Sequence, residues 1–418
     1  MREGISSKDI CRIILEALRL IDKRLIDHGE RVAYLIWRMM EYKGGFEEYE
    51  LAEYAFIAAL HDIGAFKVER GKDVLDFDVA HPMKHSIYGY LFMKYTSPIE
   101  ERSKILMYSH IDFLQLKDVN FEGKEISEYI HLAGRYDLFH NSLGDRFGIQ
   151  NLKAYEGKKF SARNIELLES ALVKNDVEDK FRDGSYKKEL NELWKGLLFS
   201  EKEKQIYIRM LIYISGFNDE YNVINTMTST MVATEIAGRI PSFSQEEMTE
   251  LFIGSALHDI GMLTVPEEII NAPRKLTDDE MKKVRSHVET LENVLKDRVS
   301  DGIMKIALGH HERLDGSGYP YGWTVDQMSE GQKILQVADI VTALTCERAY
   351  HPAKNKESVI RILEDEMNRN KYDREVVMTF IQDYDNIMTV ARSRSEEMLS
   401  MFKELKVRYE KVRSTLMR

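Results

Sequence analysis

The chain has 418 residues, of which 44% are hydrophobic and 31% charged, and its net charge is −11. This composition can bury hydrophobic cores and excludes a disordered polymer, and the length suggests about two to four domains. The acidic balance argues against binding to duplex nucleic acid, which requires a basic face. The two cysteines, Cys11 and Cys346, exclude a disulfide framework and a CxxC-type metal cluster, and they indicate a reducing compartment.

The first predicted element is an amphipathic helix at residues 10–21, where apolar residues recur at helical spacing. Acidic residues interrupt the apolar run near the N-terminus, so the sequence does not predict a signal peptide. No stretch reaches about 18 uncharged apolar residues, so we expect a cytoplasmic protein without a membrane-spanning helix. With only 7 prolines the chain is predicted to be mostly α-helical, with one small hairpin around residues 263–277.

A repeat divides the chain into two halves. The string FIAALHDIGAF at 56–66 returns as FIGSALHDIGML at 252–263, and aligning the two His-Asp pairs gives an offset of 197 residues. Each copy is followed by two further histidines in the same order, namely His85 and His110 in the first half and His287 and His311 in the second. Matched helical segments then close both halves, so the sequence predicts two homologous helical domains in tandem.

We place the domain boundaries by charge and by periodicity. Residues 1–205 form the predicted N-terminal domain with a highly charged connector, residues 206–385 form the second domain, and residues 386–418 form a C-terminal amphipathic helix. The apolar stripe of this long helix has two interpretations. It packs on its own domain, or it forms a coiled coil that makes the protein a homodimer.

The second half concentrates imidazole and carboxylate groups on apolar segments. The candidate metal ligands are His258, Asp259, His287, His310, His311 and Asp339. Buried together without a cation, such groups would each cost about 1–3 kcal/mol if left unpaired. A divalent-metal centre accounts for all of them, because imidazole and carboxylate suit iron, manganese, nickel or zinc.

The adjacent pairs of this set suit a centre with two metals. The imidazole of His258 can bind one metal while the Asp259 carboxylate bridges to a second. On a helix, the side chains of His310 and His311 would diverge by about 100°. These two residues therefore suit two different metals, or one metal and one substrate contact.

A polar loop follows the second pair, with the sequence HHERLDGSGYP at residues 310–320. Its glycines and proline prevent a helix from continuing beyond Asp315. Arg313 offers a bidentate guanidinium for a phosphate group, and Tyr319 offers a hydroxyl and a stacking face. The sequence therefore predicts a substrate loop beside the metal ligands.

The strings HDIG, HHERLDGSGYP, LQVADIVTALTCERAY and RKLTDDEM together resemble the HD-GYP domain, a branch of the HD phosphohydrolase superfamily. The similarity covers about residues 220–382, while residues 26–172 resemble a plainer HD domain. The resemblance implies an all-α fold with tandem HD-type domains and two divalent metal ions, iron or manganese first and zinc, nickel or magnesium as alternatives. It also implies hydrolysis of cyclic di-GMP or a related cyclic dinucleotide to a linear dinucleotide or GMP.

The resemblance also suggests roles for single residues. Asp259, Arg313 and His310 become candidate catalytic residues, because they would bridge the metals, stabilise charge on the phosphate and assist the leaving oxygen. The candidate substrate-binding residues are Arg313, Asp315, Gly318, Tyr319, Pro320 and Arg348. For Arg348 a structural salt bridge is an equal alternative.

The first half keeps part of the same pattern. Its candidate second site consists of His28, His61, Asp62, His85 and His110. Gly134 stands where the family has its last aspartate, with Asp137 one turn beyond, and Ser109 stands where the second half has His310. Since the substrate loop is also missing, we expect this half to be degenerate for catalysis and still able to bind a metal or nucleotide.

The second half departs from the family pattern at other positions. We align Thr228 with His28, the family's first histidine, and a competing register places Asn225 there instead. Met262 replaces the usual lysine after HDIG. Two alternatives to a cyclic-dinucleotide phosphodiesterase remain, the first because metal ligands do not specify the substrate and the second because of these departures. One is another nucleotide phosphohydrolase of the HD superfamily, and the other is a non-catalytic cyclic-dinucleotide-binding or regulatory protein.

Overall fold

A computed structural model describes residues 4–68, 83–217, 219–346 and 352–416. This part of the chain contains α-helices, short 3-10 helices and two isolated β-bridges, and no strand. The predicted all-α class is confirmed. The predicted hairpin at 263–277 is wrong, because Ile260–Thr264 forms a 3-10 helix and Glu267–Ile270 a short α-helix that begins directly after Pro266. Proline is favoured at such helix starts, where it loses no hydrogen bond.

In chain order the α-helices are α1 (Ser7–Ile21), α2 (Lys23–Lys43), α3 (Glu48–Ala59), α4 (Ala65–Val68), α5 (Met83–Thr96), α6 (Lys104–Met107), α7 (Phe113–Leu116), α8 (Lys124–Leu143), α9 (Ile149–Lys153), α10 (Ala162–Lys174), α11 (Val177–Asp183), α12 (Tyr186–Leu193), α13 (Glu201–Ser215), α14 (Glu220–Ala237), α15 (Gln245–Leu257), α16 (Glu267–Ile270), α17 (Asp278–Arg285), α18 (His287–Leu295), α19 (Asp301–Leu308), α20 (Glu330–Thr345), α21 (Lys356–Asn368), α22 (Arg374–Gln382) and α23 (Tyr384–Leu416). The remaining 3-10 helices are Glu100–Ser103, Gly144–Arg146, Trp194–Gly196 and Val325–Gln327. No helix in the described part of the chain is both long enough and apolar enough to cross a membrane.

The helices form two compact units. The first-half unit comprises Ile21–Tyr207 and Glu404–Arg418, and the second-half unit comprises Met1–Leu20 and Ile208–Lys403. Each unit therefore includes one end of the chain that the sequence pattern assigns to the other half. The division into domains at 205 and 385 stays a prediction, since the units are defined by packing alone.

In the first-half unit, α2 packs against α3, α8 and α10. Its large buried side chains include Tyr34, Phe56 and Trp194, and burial of each stabilises the fold by roughly 1.5–3 kcal/mol. The side chain of Asp22 caps α2 by accepting a hydrogen bond from the backbone N–H of Arg24 at 2.9 Å. This packing positions the start of α2, which carries His28.

In the second-half unit, α14 packs against α15 and α20, and α15 packs against α19. The core includes Val232 of α14 and Leu335 of α20, and the beginning of α23 joins it through Ile387 and Ala391. The predicted C-terminal helix is thus observed, and packing within the unit accounts for the first part of its apolar stripe. Dimerisation through this helix stays a prediction.

Candidate active site

Three histidines of the second half present their ring nitrogens in the same way. In His258, His287 and His310 the Nδ1 atom lies 2.6, 2.6 and 2.7 Å from the carbonyl oxygen three residues earlier. Because a carbonyl only accepts hydrogen bonds, Nδ1 carries a proton in each ring and Nε2 is the nitrogen left to face a metal. The three residues lie at the end of α15, at the start of α18 and just after α19, so three separate elements supply candidate ligands.

The Nε2 atoms converge on the carboxylate of Asp259. The distances from Asp259 oxygens are 3.2 Å to His258 Nε2, 3.8 Å to His287 Nε2 and 4.0 Å to His310 Nε2. The Nε2 atoms of His287 and His310 lie only 3.1 Å apart. Two lone pairs at this distance repel each other, and a cation held between them removes the repulsion. His258 Nε2 is buried without a hydrogen-bond partner, so this donor set fits a metal.

The electrostatics of the site agree with metal binding. Burial lowers the pKa of His287, His310 and His311, which keeps these imidazoles neutral near pH 7. Burial also disfavours a charged His258, but the neighbouring Asp259 carboxylate outweighs it and raises the pKa of His258 to about 9. A divalent cation between these groups would replace the proton on His258.

His311 and Asp339 complete the predicted set. His311 Nδ1 lies 3.6 Å from one Asp339 oxygen, and the other oxygen lies 3.9 Å from His258 Nε2. Helix α19 ends at Leu308, before the histidine pair, so the two rings do not diverge as they would on a helix. Their centroids lie 4.0 Å apart, and ligand atoms of His287, His310 and His311 lie within 4.8 Å of one another.

The glycine of each HDIG string allows two elements to approach closely. A Cβ atom on Gly261 would lie 2.0 Å from the carbonyl oxygen of His287, and one on Gly64 would lie 2.0 Å from that of His85. Any side chain at Gly261 or Gly64 would push His287 or His85, respectively, away from the His-Asp pair of the same half. The same requirement in both halves explains why the string recurs with its glycine.

The first half assembles its five predicted side chains around Asp62. The distances from the two Asp62 carboxylate oxygens are 3.0 Å to His110 Nε2, 3.2 Å to His61 Nε2, 3.4 Å to His85 Nε2 and 3.9 Å to His28 Nε2. Two candidate ligand groups share Asp62, one with His28 and His61 and the other with His85 and His110. This carboxylate therefore occupies the same central place as Asp259 in the second half.

Comparison with known proteins supports the family. Residues 217–376 match the family model of the HD domain. The chain is 30% identical over 251 residues to the cyclic di-GMP phosphodiesterase of Thermotoga maritima, and the match covers 56% of this chain and 67% of that protein. The chain belongs to the HD domain family.

Two further similarities extend over almost the whole of this HD-domain protein. The 3'3'-cGAMP-specific phosphodiesterase 1 of Vibrio cholerae is 23% identical over 407 residues, covering 92% of this chain and 93% of that protein. The crystal structure of a cyclic GMP-AMP specific phosphodiesterase of Vibrio cholerae, V-cGAP3, aligns with a TM-score of 0.59 at 16% identity, covering 91% of this chain and 98% of that one. This second similarity shows the fold. The chain spans only 35% of another curated relative, to which it is 34% identical.

The HD-domain protein has Asn225, not Thr228, in the place that His28 occupies in the first half. The Asn225 amide donates to an Asp259 oxygen at 3.1 Å, whereas the Thr228 hydroxyl lies 2.8 Å from the Ser395 hydroxyl. The register that aligned Thr228 with His28 is therefore wrong. The repeat offset of 197 residues, applied to His28 without a gap, leads to residue 225.

A buried carboxylate that the sequence reasoning missed holds the loop after the histidine pair. Glu312 is 0% exposed and accepts hydrogen bonds from the backbone N–H groups of Tyr321 at 2.7 Å and Trp323 at 3.0 Å. A Cβ atom on Gly318 would lie 2.4 Å from Glu312 Cα, so the loop can pass there only with glycine. This arrangement places the Tyr319 ring 4.6 Å from the His311 ring.

Two guanidinium groups lie near Tyr319. The Arg313 guanidinium lies 4.9 Å from the Tyr372 ring and donates to the Glu312 carbonyl oxygen at 2.6 Å. The Arg285 guanidinium at the end of α17 lies 4.8 Å from the Tyr319 ring, and the sequence reasoning missed it. Together with burial, the charges of both arginines lower the pKa of His311. The site therefore carries positive charge beside its neutral imidazoles.

The other predicted substrate residues differ in their surroundings. Asp315 is exposed and accepts hydrogen bonds from Ser317, through the backbone N–H at 2.9 Å and the hydroxyl at 2.6 Å. Pro320 is also exposed, and Arg348 lies outside the described residues. Contact of these residues with a substrate stays a prediction.

Within the described residues of the first half, no carboxylate takes the place that Asp339 has in the second. A Cβ atom on Gly134 would lie 3.8 Å from His28 Nε2, so no side chain fills that place. The Asp137 carboxylate instead lies 2.7 Å from His28 Nδ1 and accepts two hydrogen bonds from Arg31, at 2.5 and 2.9 Å. Asp137 thus orients the His28 ring from the side away from Asp62, and the Ser109 hydroxyl bonds to the Leu106 carbonyl oxygen.

Proposed function

We propose that the chain is a metal-dependent phosphodiesterase that hydrolyses cyclic di-GMP or a related cyclic dinucleotide, with its active site in the second half. The observation that carries the proposal is the convergence of three imidazole Nε2 atoms on Asp259, beside a loop flanked by two arginines. The relatives described above are named as cyclic di-GMP and 3'3'-cGAMP phosphodiesterases, which supports the same substrate class.

Two divalent metal ions, iron or manganese before zinc, nickel or magnesium, would be held by the predicted ligands. These are His258, Asp259, His287, His310, His311 and Asp339. When bound, such metals supply Lewis-acid polarisation of the phosphate and a nucleophilic water at neutral pH.

Side chains of the protein supply the other proposed functions at this site. Asp259 occupies the position between the imidazoles, and the amide of Asn225 holds one of its oxygens. Arg313 and Arg285 carry the positive charge that stabilises negative charge developing on the phosphate. The Tyr319 ring packs against the His311 ring and would offer a stacking face to a substrate.

The first half is proposed to hold metal without hydrolysing the substrate. Asp62 and its four histidines form a ligand set, but Gly134 leaves out the last carboxylate. The chain after His110 continues as IDFLQLKD and provides neither an arginine nor the GYP string. This half therefore offers a candidate metal centre without a counterpart of Arg313 or of the GYP string after His110.

A non-catalytic receptor is the second candidate function. It is favoured by Asn225, because an amide that donates to Asp259 replaces an imidazole that could ligate a metal. Full-length protein loaded anaerobically with Fe²⁺ or Mn²⁺ should be incubated with cyclic di-GMP, 3'3'-cGAMP and cyclic di-AMP, and the products separated by chromatography. Linear dinucleotide or GMP is the expected result. Tight binding without turnover for every metal would favour the receptor instead.

A further inference from the structure

A cavity of about 230 Å³ lies in the second-half unit between α14, α20 and the first part of α23. Ile224 and Met388 give it apolar walls, and Thr228 and Cys346 also line it. The charged side chains Arg392 and Glu396, one turn apart on α23, line it as well and are exposed. None of these residues belongs to the metal site described above.

The cavity adjoins the candidate active site along two helices. Ile224 directly precedes Asn225, the residue of α14 that contacts Asp259. On α20, Thr345 lines the cavity six residues after Asp339, which corresponds to about 9 Å along the helix axis. The cavity and the candidate metal site therefore share two helices, α14 and α20.

We propose that this cavity binds a guanine base of the cyclic dinucleotide. The proposal rests on the proposed function, and it deepens it, since cyclic di-GMP and 3'3'-cGAMP each contain guanine. A carboxylate accepts hydrogen bonds and cannot donate them, so Glu396 complements the N1–H and N2 amino donors of guanine. A guanidinium complements the O6 and N7 acceptors of the same base in bidentate fashion, and Arg392 supplies one.

Adenine fits this pair of groups poorly. Its N1 atom is an acceptor and would face the Glu396 carboxylate, which is also an acceptor, and its N6 amino donor would face the Arg392 guanidinium. Mismatched groups of this kind lose their hydrogen bonds and are left desolvated. The cavity therefore discriminates between the two purines through two side chains of one helix.

The charges of Arg392 and Glu396 are available for a ligand. Among the described residues, neither takes part in a salt bridge, whereas the neighbouring pair Arg394 and Glu397 is joined at 3.0 Å. Glu397 does not line the cavity. The substitutions E396Q and E397Q therefore form a matched pair, in which the same chemical change is made inside and outside the cavity.

Cys346 provides a reporter that does not depend on catalysis. The chain has only 2 cysteines, and the other one, Cys11, is 0% exposed. Alkylation of the native protein by N-ethylmaleimide, followed by mass spectrometry, should therefore act at Cys346 first. The metal-loaded full-length chain would be alkylated alone, with the hydrolysis-resistant bis-phosphorothioate of cyclic di-GMP, and with the corresponding cyclic di-AMP analogue.

We expect the guanine analogue to slow alkylation of Cys346 and the adenine analogue to leave it unchanged. E396Q should remove this protection and raise KM for cyclic di-GMP about tenfold with kcat nearly constant, while E397Q should behave like the parent. Hydrolysis without protection of Cys346, or equal KM values for the two variants, overturns the guanine site and leaves the phosphodiesterase intact. Protection without hydrolysis overturns only the phosphodiesterase, and the absence of both overturns both.

Discussion

The two halves of the molecule keep the same centre and differ in what surrounds it. His61 Nε2 and His258 Nε2 each lie 3.2 Å from the carboxylate of the following aspartate, and two further histidines approach that aspartate in both halves. The first half keeps His28 on α2 and has Gly134 in place of a carboxylate, whereas the second half has Asn225 on α14 and keeps Asp339. Each half therefore departs from the full set of predicted ligands at a different position.

Under the proposed function, this difference separates two properties of one architecture, holding a metal and hydrolysing a substrate. His61 in the first half and His258, His287 and His310 in the second are each held by the backbone carbonyl group three residues earlier, so these candidate ligands do not depend on the substrate side of the site. The substrate side depends on a loop anchored by Glu312, and the described part of the first half has no counterpart of this residue.

The largest expected effect comes from the two central aspartates. Asp259→Ala removes the carboxylate that lies between the imidazoles and should lower kcat/KM for the cyclic dinucleotide about 10³-fold or more, as expected for loss of a metal-assisted step. Asp62→Ala, the matched change in the first half, should keep most of the activity. Steady-state assays of both full-length variants measure these two effects. The reverse order of effects would place the active site in the first half.

The metal content should divide between the halves in the same way. Elemental analysis of anaerobically loaded protein should show that Asp259→Ala and Asp62→Ala each lose part of the metal. The double variant should lose the sum, because the two aspartates share no ligand. Unchanged metal content in Asp62→Ala would show that the first half holds none, and the distinction between the halves would then begin at metal binding.

The positive charges of Arg285 and Arg313 in the second half should strengthen binding of the phosphodiester. Arg285→Ala should reduce kcat/KM about tenfold to 100-fold, the range expected for a charge-assisted hydrogen bond. Lys282→Ala on the same helix is the control, because Lys282 is exposed and belongs to no part of the site described above. If the two variants are equal, Arg285 serves only to support the Tyr319 ring.

The smallest expected effect concerns residue 225, where the second half has an asparagine in the place of His28. Asn225→His would place an imidazole where His28 lies in the first half, and it should slow removal of metal by a chelator several-fold. Thr228→His, one turn further along α14, should leave the rate unchanged, because that side chain faces Ser395. Slower metal loss in Thr228→His alone would instead support the alignment of Thr228 with His28.

The sequence alone determined the fold class and the repeat, and it predicted the candidate metal ligands that the structure brings together. Helices follow from periodic apolar residues in a chain with few prolines, and these are local properties. The ligands were recognisable because histidine and aspartate recur on apolar segments in the same order in two halves, and such groups are costly to bury without a cation. The loop after His311 was recognisable because its glycines and proline cannot continue a helix.

The tertiary structure decided what depends on contacts between distant segments. Residues 225 and 228 lie on nearly the same side of α14, so helical periodicity does not separate them, and the contact with Asp259 decides for Asn225, the residue to which the ungapped repeat offset also leads. Arg285 and Tyr319 are far apart in sequence and meet only when α17 packs beside the loop. The cavity proposed to bind guanine is likewise formed by α14, α20 and α23 together. Local spacing describes one helix at a time, whereas a binding site is built from several helices.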